Sequence, residues 1–201
     1  MLNVGETVLY AANGVCTVEE ITELDFGSGK TKYYILKPVS SSQNTFYIPA
    51  DNQKMLSKIR KILSREEVDE IITSMPDSTA GWIENDLERK NEYKKIIGSG
   101  DCKSLVKVIK SIHMHKTEIA ENGKKLHQID EHMLKDAESL LYGEFATVLN
   151  IKKEEVLPFI IKTLDGAADE KKNTLCTLSE CKGIFILLCC SGLFRNIQNI
   201  L

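Results

Sequence analysis

The sequence has no apolar run long enough for a membrane helix, no CxxC pair and one tryptophan in 201 residues. Each shortage excludes something. The longest apolar run, within "GIFILLCCSGLF" near the C-terminus, holds about a dozen residues against the roughly 20 that cross a bilayer as a helix, so no membrane partner is expected. "MLNVGETVLY" lacks the basic flank and apolar core of a secretory signal, which points to a cytoplasmic location. Thiols there are kept reduced. Cys16 and Cys102 stand alone, and Cys176, Cys181, Cys189 and Cys190 crowd the C-terminus without the paired spacing of a zinc site. His113, His115, His127 and His132 form no HExxH, so neither a metal nor a cofactor is expected. Enzyme signatures are missing too: no phosphate loop, no dinucleotide glycine fingerprint, no GxSxG elbow and no catalytic carboxylate pair. "GSGK", Gly27 to Lys30, is too short for a phosphate loop and reads as a hairpin turn.

What is present is ordinary globular material, 42% apolar and 27% charged, enough for one large domain or two small ones. A net charge of -3 argues against a wholly basic nucleic-acid coat, but a total does not describe how charge is distributed. The first part, residues 1–58, reads as short antiparallel strands forming a small curled sheet or barrel. "ETVLY" and "VCTVEEI" flank "AANG", where Asn13 and Gly14 can supply positive φ, and "KYYILK" and "NTFYIP" add two more strands. In the last of these, Phe46 and Ile48 share one face, Thr45 and Tyr47 the other. Tyr47 is then either a solitary surface tyrosine, the commoner case, or a recognition residue on an incomplete sheet.

From Ser64 the period becomes helical. Ser64 and Glu67 have capping-box spacing ahead of Val68, Ile71 and Ile72. "MPDSTAG" breaks this helix, Ser78 or Thr79 can cap the next, and that one runs to about Ile97 with Ile83, Leu87, Tyr93 and Ile97 as its stripe. Asp101 caps a third helix whose stripe is Leu105, Ile109 and Ile112. Behind a cap at Asp130, Met133, Ala137, Leu140, Leu141, Phe145 and Val148 define the central core helix. A last helix follows around "KKEEVLPFIIKTL", with Pro158 a kink unless it falls in the first turn. The helical part spans 59–165; residues 166–201 read as a charged linker and an apolar tail of unknown role.

Trp82 lies at the start of a highly charged helix, just off the edge of the buried stripe. It either laps over the core margin, the commoner fate, or stays partly exposed as a wedge of the kind that enters distorted DNA steps. Between Arg89 and Lys116 the basic residues are Arg89, Lys90, Lys94, Lys95, Lys103, Lys107, Lys110 and Lys116, against Glu92 and Asp101. Several lysines there could meet phosphates together, although a solvated face is the default for any lysine run.

The order of "VGETVLYAANGVCTVEEI", "YYILKP", "FYIPADN", a tryptophan, "YKKIIGSGD" and "LLYGEFA" resembles the CarD/CdnL family of bacterial transcription regulators, over residues 2 to 165. The resemblance implies an α+β fold, a Tudor/SH3-like β-barrel followed by an all-α helical domain. It implies that the barrel, a module shared with transcription-repair coupling factors, docks on the RNA polymerase β subunit through a surface including Thr45 and Tyr47. It further implies a DNA wedge at Trp82, supported by Arg89, Lys90 and Lys94, at the upstream edge of the transcription bubble. Tyr47 departs from the basic residue usual at its position, and the stretch from Trp82 to "SGD" is about one turn longer than in shorter members. The expected function is a non-enzymatic regulator that stabilises the open promoter complex. The rival is a polymerase-bound protein adaptor that does not engage DNA.

Overall fold

Alternating apolar and polar residues build the first half of the computed structural model, which describes residues 2–172 apart from 26, 28 and 41–43, and only the backbone of 166–172. Strands β1 (Thr7–Tyr10), β2 (Val15–Asp25), β3 (Lys30–Pro38), β4 (Phe46–Pro49) and β5 (Ile59–Lys61) form one antiparallel sheet in the order β4-β3-β2-β1-β5. Among the described residues no ladder joins the edge strands β4 and β5. The β1–β2 connection is a 3-10 turn, Ala11–Asn13, with positive φ at Ala11 (41°) and Gly14 (80°). Asn13 is not left-handed as expected, because the loop is longer than a two-residue reversal. At the β2–β3 turn the Asp25 carboxylate accepts from the N–H groups of Gly27 and Gly29.

The strand period works as expected on β4: Ile48 is 1% exposed and joins Val8, Cys16, Val18 and Leu36 under the sheet, while Tyr47 is 46% exposed on the other face. A short helix, α1 (Gln53–Leu56), closes that core with Met55 and Leu56. β5 has no counterpart in the sequence reading. It pairs with β1 through Val8↔Lys61, Leu9↔Arg60 and Tyr10↔Ile59, so the sheet runs past residue 58.

Five helices follow: α2 (Arg65–Ser74), α3 (Asp86–Ser99), α4 (Cys102–Glu121), α5 (Gln128–Leu149) and α6 (Lys153–Lys172). The expected capping box closes α2, with Ser64 Oγ accepting from Glu67 N–H and Glu67 Oε2 from Ser64 N–H. Asp101 caps α4 as expected, accepting from Ser104 N–H at 2.9 Å. α5 is the central element. Its first half (Met133, Leu134, Ala137, Leu140) packs with Tyr93, Ile97, Leu105 and Ile112, and its second half (Leu141, Phe145, Leu149) with α2 and α6. α6 contains Pro158 beyond its first turn and continues to Lys172, through a stretch whose composition reads as linker. The apolar tail lies outside the described residues.

Two expected caps are corrected. α3 is capped by Asn85, whose Oδ1 accepts from the N–H groups of Leu87 and Glu88, instead of by Ser78 or Thr79. Leu87 accordingly leaves the stripe and is 68% exposed, whereas Tyr93 and Ile97 are buried. α5 starts after His127, and Asp130 sits in its first turn, 2% exposed and committed to another partner.

The sheet and the helices are joined by a buried polar knot. Arg60 of β5 donates to both carboxylate oxygens of Glu144 on α5, at 2.6 and 2.8 Å, and to the Gly100 carbonyl at 2.7 Å. Glu144, 1% exposed, also accepts from Leu63 N–H and the Cys102 thiol, so its oxygens are fully used. Burial pushes the Cys102 thiol well above its usual range, and the Glu144 charge adds to this.

Candidate nucleic-acid interface

Trp82 does not stand on a helix. It lies in the connection between α2 and α3, in irregular backbone four residues before α3 begins at Asp86. Such a segment has to find partners for its carbonyls outside any ladder. Here side chains supply them. Lys110 Nζ, on α4, donates to the carbonyls of Met75, Pro76 and Ser78, the last at 2.6 Å, and Ser111 Oγ donates to Gly81. From the other side Arg89 Nη1 donates to the Ile83 carbonyl at 2.7 Å. The connection is irregular yet braced along its length.

Arg89 is the centre of the brace. Nε and Nη2 form a fork on Asp130, both at 3.0 Å, and Nη2 also reaches Asp86 at 2.7 Å. Burial alone would lower the guanidinium pKa, but Asp130 and Asp86 outweigh it and raise it, so the charge persists. Its carbon centre also lies 4.1 Å from the Trp82 ring centre, a cation–π distance. Behind it, Tyr93 Oη is 2.9 Å from Ser111 Oγ, and burial raises the Tyr93 pKa.

The indole is held on α4 as well. The Trp82 and His115 rings stack with centres 3.7 Å apart and planes 10° from parallel. Trp82 itself is half-buried, packed against the margin of the cluster that contains Tyr93 and Leu105.

The basic segment divides into two kinds. Arg89 is 3% exposed and occupied internally, and Lys110, bound to three carbonyls, has its pKa lowered by desolvation. Lys103 pairs with Glu70 at 3.1 Å and Lys95 lies 3.9 Å from Glu92. Lys94, Lys107 and Lys116 are exposed and Lys90 half-buried; among the described residues these four have no carboxylate within ion-pair distance. Lys90 and Lys94 share α3 with Arg89, so the structure places the expected DNA-facing residues on one connection and the helix it leads into.

Thr45 and Tyr47 are elsewhere, at β4, the sheet edge opposite β5. Thr45 is half-buried beside the exposed Tyr47. Sequence reasoning took Asp130 as a cap and Lys110 as one lysine of a basic segment, and missed that these two and His115 brace Trp82 and its connection. His115 was visible only as one of four histidines in no metal-binding pattern; His113, two residues earlier, turns away to Glu138 of α5, 3.0 Å off.

Among the described residues no helix is long and apolar enough to cross a membrane, and no cluster of three His, Cys, Asp or Glu could hold a metal ion. Two family models match the two halves of the architecture in order. Residues 2–63 match the CarD-like/TRCF RID domain, and residues 67–160 match the CarD C-terminal domain. Both are modules of the CarD family of non-enzymatic, RNA polymerase-binding regulators, the first shared with transcription-repair coupling factors, which makes this a transcription-related, polymerase-interacting protein. A polymerase-interacting sheet followed by the matching helical domain, together covering most of the chain, establishes that it belongs to the CarD-like family.

Proposed function

We propose that this protein binds the RNA polymerase β subunit through the β4 edge, with Thr45 and Tyr47 in the contact, and stabilises the open promoter complex by inserting Trp82 at the upstream edge of the bubble. The observation that carries this reading is the placement of Trp82: half-buried, stacked and braced on a connection whose carbonyls are held by Lys110, Ser111 and Arg89, and outside the sealed core. A large apolar ring held in that state is prepared for insertion at little entropic cost. Lys90 and Lys94, four residues apart on one face of α3, then meet phosphates beside the wedge. Arg89 contributes by holding the indole and takes no phosphate itself, since its donors are occupied.

Tethering explains why modest DNA affinity suffices. Docking on polymerase raises the local concentration of the helical domain at the bubble, so an acidic protein can work with few phosphate contacts. A wedge that fits only the distorted junction favours the open form by its differential affinity for it. Covalent chemistry is not needed.

Trp82→Ala is expected to shorten the lifetime of open complexes about tenfold or more, because stacking a base on an aromatic is worth about 1–3 kcal/mol. Polymerase binding should be unchanged. The unfolding free energy should fall by only about 1–2 kcal/mol, against about 3–5 for a sealed core tryptophan. Normal open-complex lifetimes with a severely destabilised fold would return Trp82 to the role of core anchor. Tyr47→Ala should weaken pull-down of an isolated β-subunit fragment, and unchanged capture would exclude Tyr47 from the contact.

The adaptor alternative draws on Leu87 and Ile129, 68% and 52% exposed in the first turns of α3 and α5, which are linked through Arg89 and Asp130. Binding to fork-junction DNA in the presence of polymerase separates the readings. A DNA reader loses affinity steeply as salt rises.

A further inference from the structure

We propose that His115 is the positioning residue for the Trp82 wedge, an inference that rests on the DNA-engaging function proposed above. Its imidazole lies 3.7 Å from the indole and 10° from parallel to it, close enough to restrict the tilt of the larger ring. Its own support is rigid. His115 stands on α4, the same helix that carries Lys110 and Ser111, and with Ser111 four residues earlier it shares one face. One helical face therefore grips both the backbone that carries the tryptophan and the tryptophan ring. Glu118, a turn further along, lies 3.8 Å from His115 Nδ1, beyond hydrogen-bond distance.

Covering has a second effect. An indole surface already in contact with an imidazole cannot stack on a base at the same time, and the Arg89 guanidinium lies over the same ring, so the indole meets DNA with the part that neither covers. His115 thus sets which part of the wedge reaches the junction while itself touching neither base nor phosphate. The charged groups around the pair are the Arg89 guanidinium on the indole, Asp86 and Asp130 bound to that guanidinium, and Glu118 beside the imidazole. Arg89 restrains the ring from α3 and His115 from α4. Without His115 the Arg89 contact remains, and the ring gains freedom to tilt.

The test uses the full chain with polymerase and promoter, and variants His115→Ala, His115→Phe and Trp82→Ala. Because the chain has a single tryptophan, acrylamide quenching of its emission reads the exposure of this one ring. His115→Ala should steepen quenching and shorten open-complex lifetime about two- to tenfold, the range that an aromatic pair contact is worth. His115→Phe, which keeps a flat ring, should restore both, with polymerase affinity unchanged throughout. Unchanged quenching in His115→Ala would overturn the proposal, as would a normal lifetime beside a shortened one for Trp82→Ala. Failure of His115→Phe to restore lifetime would overturn it too. A normal lifetime for Trp82→Ala would remove the DNA-engaging function itself, and the positioning role with it.

Discussion

Arg89 shows how much a single residue's role depends on where a helix starts. Placed mid-helix it is a surface cation available to phosphate; placed in the first turn after an Asn85 cap it faces back toward the Trp82 connection and becomes 3% exposed. Removing it strands Asp130, 2% exposed, without its countercharge. Arg89→Ala is therefore expected to cost about 3–5 kcal/mol in urea unfolding, much more than a surface arginine, while replacing Arg89 and Asp130 together by Met and Leu recovers most of that loss. A cost near that of Lys94→Ala would show that the fork is not structural. The cap choice was not legible because Ser78, Thr79 and Asn85 are all cap formers. Ser78 is already used, its hydroxyl donating to the Met75 carbonyl at 2.7 Å to finish the preceding turn. The lone tryptophan and the lysine-rich segment after it were legible in the sequence; the brace was not, because it is made of contacts between distant helices.

At the level of elements, the junction between α3 and α4 carries two separate constraints. Gly100 ends α3 with φ +67°, and a Cβ there would lie 2.7 Å from Leu9 Cδ2 of β1. Gly100→Ala combines left-handed strain with that overlap, and an equilibrium unfolding loss of about 1–3 kcal/mol is expected, against little change for Gly98→Ala, where nothing lies within 4 Å of an added Cβ. The sequence marks "SGD" as a stop and a start, which it is; that the stop is also a sheet contact depends on Leu9, far away in the chain. Next to it, burial opposes ionisation of Asp101, but hydrogen bonds from Ser104, the Arg60 charge and the Lys103 N–H outweigh it and hold its pKa below the ordinary 3.8. With the folded value below the unfolded one, the stability due to this cap is complete above about pH 4 and is lost as pH falls through the folded value. Asp101→Asn keeps an acceptor that does not titrate, so its stability should vary less with pH in that acid range. The strand β5 was illegible for a related reason: three residues, one of them an inward arginine, carry too little alternation to register as a strand.

For the molecule as a whole, the question is whether sheet and helices act separately. Their order was legible from the switch of hydrophobic period near Ser64. Their attachment was not, since Arg60 and Glu144 are single letters 84 residues apart. Arg60→Ala leaves Glu144 buried with a charge and fewer donors, so a loss of about 3–5 kcal/mol is expected, together with separation of one unfolding transition into two when Trp82 emission and far-UV dichroism are followed in parallel. A single shared transition would show that apolar packing alone unites the halves.

This knot gives the proposed function a geometrical property. On that proposal polymerase is held at one edge of the sheet while the helices bearing the indole are fastened at the other, so anchor and wedge keep a set separation. Duplex DNA advances about 3.4 Å with each base pair. A stiff span of constant length would register a bubble edge displaced by one pair as a misfit, and so select among promoters by spacing, as a caliper does, without reading a letter of their sequence.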